Sequence, residues 1–387
     1  MQLQGLQVLD IHHTSERVAA SLVTHTTRDS TSGQARVFCG NRPEMATSPR
    51  LFAAYAGCMG YARKNLICLQ DTPYYHVISR CVRRAWLWGF DEYAGKDYSH
   101  RKAWVLERLK YLADSFAVDL CAYAVMSNHY HLVLHVDRER AVAWTRDEVI
   151  ARWARLFRIP TLIEQYREGV GGDAVRLQAE LEIERWRRRL YSISEYMACL
   201  NAYLARRANS EDRCTGRFWE GRFKSQALLD EPALATAMAY VDLNPVRAGI
   251  AVTPETCSFT SIHQRVARMA SELARPPTPE VPLRDFEDHA SSHAKAIPLN
   301  FTDYLQLLDW TGRAIRTDKP GAIDRRTPPI LERMKIDREA WIAAMQPKGS
   351  VFGRALGRLD RLRLHARALG QSWIRGLRLA ERLYRTS

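Results

Sequence analysis

Two histidines separated by one residue, His129 and His131, interrupt an apolar stretch in the segment CAYAVMSNHYHLVLHVD. Successive side chains of a β-strand point to opposite faces, so both imidazoles would project from one face and Tyr130 from the other. Neutral imidazoles are good ligands for divalent metals, and an H-x-H pair on a strand sets two of them side by side. The same pattern fits two partly buried histidines in a sheet, so the pair alone leaves both interpretations open.

A second pair of polar residues lies in the segment AMAYVDLNPVRAG. Tyr240 and Asn244 are four residues apart and therefore share one face of a helix, one turn apart. Metal-assisted cleavage of a nucleic acid strand needs ligands that leave room for a phosphate oxygen, and a nucleophile close to the phosphorus. The two histidines and Asn244 would supply the ligands, and Tyr240 the nucleophile. By spacing alone, Tyr240 also fits a core aromatic and Asn244 a helix-terminal residue.

The periodicity of the sequence predicts the elements that would position the histidines. The alternation in YYHVISR predicts a strand, and a folded domain begins near residue 68. Apolar residues recur at the helical period over residues 104–116, which predicts an amphipathic helix. Ser127 and Asn128 are turn formers between two apolar strands. The predicted order is therefore strand, helix, strand and strand.

Tyr240 lies in a segment whose boundaries are marked by prolines. Phe218 and Phe223 favour a strand upstream of it. Pro232 then opens a predicted helix over residues 233–243, because proline is tolerated in the first helical turn. Pro245 disfavours helix at the preceding residue and lacks a backbone donor, so the helix is predicted to end there.

Composition shifts divide the chain into four predicted regions. Residues 1–67 are expected to form a poorly structured extension, and residues 68–270 a catalytic domain with a charged helical insertion at about 145–190. Residues 271–299 are proline-rich and aperiodic, which predicts a linker. Residues 300–387 are expected to form a helical, basic C-terminal domain.

The overall charge favours a polyanionic partner, with nucleic acid first among the candidates. The chain of 387 residues has a formal net charge of +14 and a sequence pI of about 9.6. Its eight cysteines form no C-x-x-C pair, which argues against a zinc ribbon or a disulfide framework. The sequence shows no signal peptide and no long apolar run. We therefore expect a soluble, cytoplasmic protein with no membrane partner.

Three segments in the same order, MSNHYHLVLH, GRFWEGRFKSQ and AYVDLNPVRAG, resemble the signatures of the HUH single-tyrosine transposases, and the resemblance is closest to the REP-associated tyrosine transposase branch. The resemblance covers roughly residues 68–262. It implies an α+β fold with a central antiparallel sheet and packed helices, of the ferredoxin-like HUH kind, which agrees with the predicted order of elements.

The resemblance also implies a reaction and the residues that perform it. By motif position, His129, His131 and Asn244 would bind a divalent metal, Mg or Mn, and Tyr240 would attack single-stranded or hairpin DNA. The products would be a 5′-phosphotyrosine and a free 3′-hydroxyl, and reversal would rejoin strands. The resemblance does not decide the oligomeric state, for which a homodimer is one candidate.

Basic residues close in sequence to these motifs are the expected DNA contacts, because arginine and lysine neutralise phosphates and tryptophan stacks on unpaired bases. They are Arg80, Arg83, Arg84, Arg217, Arg222, Lys224 and Arg247, together with Trp219. The alternative is ordinary surface charge around a core tryptophan.

Three other functions fit part of the sequence. One is a domesticated regulator that binds hairpin DNA without cleaving it. Another is a hydrolase that activates water with the histidine pair and a carboxylate such as Asp242 or Glu220. The third is an RNA-binding module, since basic and aromatic residues alone do not distinguish RNA from DNA.

Overall fold

The computed structural model describes residues 67–82, 89–91, 95–256, 258–270, 280–290, 296–315 and 327–384. These residues belong to one compact unit, Gly60–Ser387. The predicted N-terminal extension therefore lies outside the described residues, except for its last residue. Among the helices described, none is long and apolar enough to cross a membrane.

A five-stranded sheet forms the centre of the described part of the chain. Its strands are β1 (Tyr74–Arg80), β4 (Val118–Val125), β5 (His129–Val136), β6 (Lys224–Leu228) and β7 (Ala355–Leu356), and a separate pair consists of β2 (Phe90–Asp91) and β3 (Lys96–Asp97). The sheet order is β4-β5-β1-β6-β7, in which β7 pairs parallel to β6 and the other neighbours are antiparallel. The predicted α+β class with a central antiparallel sheet and packed helices is confirmed.

Helices connect and cover these strands. The first group is α1 (Arg101–Ala113), α2 (Arg138–Ala143), α3 (Arg146–Ala154), α4 (Thr161–Arg167), α5 (Gly172–Leu190), α6 (Ile193–Glu211), α7 (Glu231–Asp242), α8 (Asn244–Arg247) and α9 (Ser261–Ala270). The second group is α10 (Phe301–Ala314), α11 (Pro329–Arg333), α12 (Arg338–Met345), α13 (Leu359–Ala368) and α14 (Leu377–Leu383). A 3-10 turn, Pro254–Thr256, precedes α9.

The predicted hairpin is present, with Ser127 and Asn128 between β4 and β5. The strand expected around Phe218 and Phe223 begins only at Lys224. Before that point the chain makes a single bridge, between Cys81 and Trp219, and residues 220–222 are exposed. An exposed segment that contains Gly221 has no buried face to fix a longer strand.

Helix α7 is buried around its whole circumference, as expected for a helix whose residues are almost all apolar. The side chain of Asp230 caps its N-terminus by accepting from the backbone N–H of Ala233, and Pro232 lies in the first turn. The helix ends at Asp242, close to the predicted stop. Leu243 keeps helical backbone angles and leads into α8, so the helical path continues for one more turn.

The C-terminal residues share a core with the predicted catalytic domain. Buried side chains of α10 to α14 belong to the same apolar cluster as the sheet, α1, α6 and α7. Described residues of the predicted linker, among them Val281, Phe286, Ile297 and Leu299, are buried in that cluster as well. The helical insertion has a second, smaller core, in which the rings of Trp153 and Trp186 stack with centroids 4.9 Å apart.

Asp242 is a buried carboxylate that joins three helices. It accepts from the backbone N–H of Ile262 at 3.1 Å and the hydroxyl of Tyr304 at 2.6 Å, and also from the hydroxyl of Ser261. We expect Asp242→Ala to lower the free energy of unfolding by about 3 kcal/mol, because it leaves buried donors unsatisfied. Urea unfolding measures the change, with the exposed Asp360→Ala as the matched control. A loss no larger than the control's would contradict this role.

Candidate functional site

The register of the sheet brings three polar side chains together on one face. His76 of β1 lies opposite Gln226 of β6, while His131 of β5 lies opposite Ile78, two residues along from His76. Diagonal neighbours of this kind are within reach across a sheet. His76 and Gln226 are fully buried and His131 is almost so.

A chain of hydrogen bonds fixes the proton on each imidazole. The amide Nε2 of Gln226 donates to the carbonyl oxygen of Val351 at 2.8 Å, which turns Oε1 of Gln226 toward Nδ1 of His76 at 3.3 Å. His76 then carries its proton on Nδ1, and its Nε2 accepts from Nδ1 of His131 at 2.9 Å. His131 is left with a lone pair on Nε2. Partners of this kind orient metal-binding histidines in proteins.

Burial keeps all three imidazoles neutral near pH 7. Desolvation lowers the pKa of His76 to about 4. It also lowers the pKa of His129 to about 4, and the positive charge of Arg80 acts in the same direction. The pKa of His131 lies well below its ordinary value, chiefly because of burial and then because of the neighbouring His76 and His129. A neutral imidazole is the form that binds a metal.

His129 lies beside this chain, at the solvent side. Its ring centroid is 5.0 Å from that of His131, as the H-x-H spacing predicts. The side-chain oxygen of Asn128 lies 2.7 Å from Nδ1 of His129, which assigns the proton to that nitrogen and leaves Nε2 available. Both histidines of the pair thus have Nε2 as the unprotonated nitrogen.

Tyr240 and Asn244 reach the same point from α7 and α8. The Tyr240 ring lies 6.0 Å from the His131 ring and 6.2 Å from the His76 ring, centroid to centroid. Nδ2 of Asn244 lies 3.3 Å from Nε2 of His131. The Tyr240 hydroxyl makes no hydrogen bond within the described part of the chain. The structure therefore brings together His129, His131, Tyr240 and Asn244, the set singled out from the sequence.

Arg247 holds Tyr240 from the other side. Its guanidinium carbon lies 4.0 Å from the centroid of the Tyr240 ring. The same group donates to the carbonyl oxygens of Met345, Gln346 and Gly349, at 2.6 to 3.0 Å. Arg247 is buried, so the structure places it as a link between the C-terminal segment and Tyr240 rather than on a surface.

The other expected DNA contacts differ in exposure. Arg80, Arg217, Arg222 and Lys224 are exposed, and the backbone N–H of Glu220 donates to the carbonyl of Arg80 at 2.9 Å, so the segment that carries them adjoins the end of β1. Trp219 is half-buried: its indole N–H donates to the carbonyl of Asn201, and its ring packs edge-on against Tyr130. Arg83 and Arg84 lie outside the described residues.

The donor set suits a divalent metal, although only two of its members are histidines. In the described residues no group of three or more His, Cys, Asp and Glu side chains is arranged to hold a metal ion. A metal here would take Nε2 of His129 and of His131 and the amide oxygen of Asn244. Imidazole nitrogen favours Mn²⁺ over the harder Mg²⁺. In the structure the amide nitrogen of Asn244 faces His131. To bind a metal, the amide group would have to rotate so that Oδ1 takes the place of Nδ2.

Neither carboxylate suggested for a water-activating hydrolase joins this set. Asp242 is already occupied by its three hydrogen bonds, and it is two residues from Tyr240 on the helix, which turns it away from that side chain. Glu220 is exposed on the loop before β6.

Sequence reasoning missed His76 and Gln226. His76 alternates with Tyr75 and Val77 in β1, so its position on the same sheet face as the H-x-H pair was readable once β1 and β5 were paired. The antiparallel order of the strands supplies that pairing, but their register does not follow from a single sequence. Gln226 had no signal beyond its place in a buried strand.

Comparison with known proteins adds little to this geometry. No family model matches the chain, and no curated protein matches it. The chain is similar to a solved structure of a REP-associated tyrosine transposase bound to a REP hairpin, at 13% identity and a TM-score of 0.33. The similarity covers 58% of this chain and 96% of that one. A likeness this distant does not assign a function, so the chemistry has to be inferred from the site's own residues.

Proposed function

We propose that this protein cleaves and rejoins single-stranded DNA through a covalent 5′-phosphotyrosine on Tyr240, as a transposase or a related endonuclease. The observation that carries the proposal is the convergence of two neutral imidazoles, an amide and a phenol on one point. The phenol comes from a helix and the imidazoles from a strand, and both elements are fixed in the core. Tyr240 is the nucleophile in this set because the imidazoles and the amide are the metal ligands, which leaves the phenolic oxygen to attack phosphorus.

His129, His131 and Asn244 would hold the divalent metal, which when bound would polarise the scissile phosphate and offset its negative charge. The Gln226 and His76 side chains keep Nε2 of His131 unprotonated and aimed at the site. Arg80, Arg217, Arg222 and Lys224 bind neighbouring phosphates. The guanidinium of Arg247 packs on the face of the Tyr240 ring and fixes the position of that ring.

The reaction balances without a further reagent. The Tyr240 oxygen forms a bond to phosphorus and its phenolic proton is released. The bond between phosphorus and the 3′ oxygen breaks, and that oxygen takes up a proton to become a hydroxyl. Attack by a 3′-hydroxyl on the phosphotyrosine restores the phosphodiester and frees Tyr240.

The test is to incubate the full chain with 5′- or 3′-labelled single-stranded and hairpin DNA spanning the flanks of its own gene, with Mn²⁺, with Mg²⁺ or with EDTA. We expect a metal-dependent covalent adduct on denaturing gels, stronger with Mn²⁺, whose DNA-bearing peptide contains Tyr240 by mass spectrometry. Cleavage without an adduct would instead indicate activated water. Binding to the same DNA without cleavage in either metal would indicate a regulator.

A further inference from the structure

The C-terminal helices carry a surface of like-charged side chains that the proposed reaction does not use. Arg363 and Arg367 lie one turn apart on α13, and Arg378 and Arg382 one turn apart on α14. All four are exposed, and the two helices contact each other. Arg375 and Trp373, also exposed, lie in the loop between the helices. These six residues are called the C-terminal arginine surface.

Within the described part of the chain, the side chains of this surface are free of the ion pairs that hold several other exposed helical arginines. Several exposed helical arginines in other regions have an acidic partner three or four residues away, as in Arg176 with Asp173, Arg185 with Glu182 and Arg313 with Asp309. The arginines of the C-terminal surface form no ion pair with any described residue. Like charges four residues apart destabilise a helix slightly, so this arrangement does not serve stability.

Trp373 adds a second, independent feature. Its side chain is 63% exposed, although tryptophan is normally highly buried. A flat aromatic ring in solvent, flanked by arginines, is the arrangement on which unpaired bases stack in single-strand binders.

The surface adjoins the candidate site through a short segment. The ring of Phe352 packs edge-on against His76, with centroids 5.1 Å apart. At the next residue, a Cβ on Gly353 would lie 3.6 Å from the carbonyl oxygen of Arg375 and 3.9 Å from Nε2 of Gln226. The loop that carries Trp373 thus packs on the segment that borders the histidines.

We infer that the C-terminal arginine surface is a second binding surface for single-stranded DNA, which holds the strand that leaves the candidate site. The arginines contact phosphates and Trp373 stacks on a base. This inference deepens the proposed function, but it concerns binding alone and can be tested without cleavage.

The experiment measures binding of the full chain to a fluorescent 20-nucleotide oligo-dT by anisotropy, in EDTA, from 50 to 300 mM NaCl. In the variant R363Q/R367Q/R378Q/R382Q we expect at least a tenfold weaker Kd at the lowest salt concentration. The slope of log K against log[NaCl] should fall by about 3, at about 0.7 per single-strand phosphate contact. Trp373→Ala should weaken binding about fivefold or more without changing that slope.

The control variant R146Q/R176Q/R185Q/R313Q removes the same charge from arginines that are exposed and ion-paired. An equal loss in both variants would overturn the inference in favour of a general charge effect, as would unchanged binding in the first variant. If the first variant loses binding to 20-nucleotide oligo-U but binds oligo-dT as well as the wild type does, the surface binds RNA and not DNA. The assay contains no metal and therefore measures binding alone. If the Tyr240 adduct fails to form in the cleavage experiment, the binding result still decides this inference.

Discussion

Tyr240→Phe is expected to abolish the covalent DNA adduct, by at least about a thousandfold in the rate of its formation, because it removes the oxygen that the proposed reaction joins to phosphorus. The substitution removes one oxygen that has no hydrogen-bond partner in the described residues. It should therefore change the free energy of unfolding by no more than about 0.5 kcal/mol. The phenyl ring still packs against His131 and Arg247. Adduct formation is measured on denaturing gels and stability by urea unfolding.

Tyr111→Phe is the control for adduct formation, because Tyr111 lies on α1 outside the site, where its hydroxyl donates to the carbonyl oxygen of Arg155. It should form the adduct at the wild-type rate. Tyr240→Phe should also bind uncleaved DNA as well as the wild type, since its phosphate contacts are unchanged. An adduct that persists in Tyr240→Phe would show that a different nucleophile acts. A loss of binding together with the adduct would show that Tyr240 serves the fold or the DNA contact instead.

The site was more predictable from the sequence than its surroundings, for physical reasons. The H-x-H alternation and the spacing of Tyr240 and Asn244 depend only on the periods of a strand and a helix, which local sequence determines. His76 and Gln226 join the site through strand register, and register depends on turn geometry and on contacts distant in sequence. The sheet and its class could therefore be predicted, but not the hydrogen-bonded chain that orients His131.

The packing of the C-terminal region, and the position of Arg247 that depends on it, also could not be predicted from local sequence. Its helical, basic character was readable from composition, and proline-rich residues before it indicated a linker. In the structure those residues and the C-terminal helices contribute to the core of the sheet, because Val281, Phe286 and Ile297 are buried in it. The burial of Arg247 under the carbonyls of residues 345–349 depends on this packing. Arg247 was expected to bind phosphate because it lies in a motif. In the structure it donates instead to backbone carbonyls at and after the end of α12.

Acid is expected to destabilise the protein through His76. Burial lowers the pKa of His76 from 6.5 to about 4, so the folded state keeps it neutral while the unfolded state protonates it below pH 6.5. The unfolded state then binds more protons between these values, and the free energy of unfolding falls as the pH drops through that window. At about 1.4 kcal/mol per unit of pKa shift, His76 contributes a loss of about 3 kcal/mol.

Urea unfolding at pH 7, 5.5 and 4.5 in EDTA measures this loss, because EDTA removes any competition between protons and a bound metal. His76→Gln keeps a donor and an acceptor between Gln226 and His131 but cannot titrate, so between pH 7 and 4.5 its stability should fall about 2.5 kcal/mol less than that of the wild type. His289→Gln, at an exposed position, should follow the wild type. If His76→Gln loses as much stability as the wild type, the His76 imidazole is not held neutral by burial, and the assignment of the His131 proton to Nδ1 fails with it.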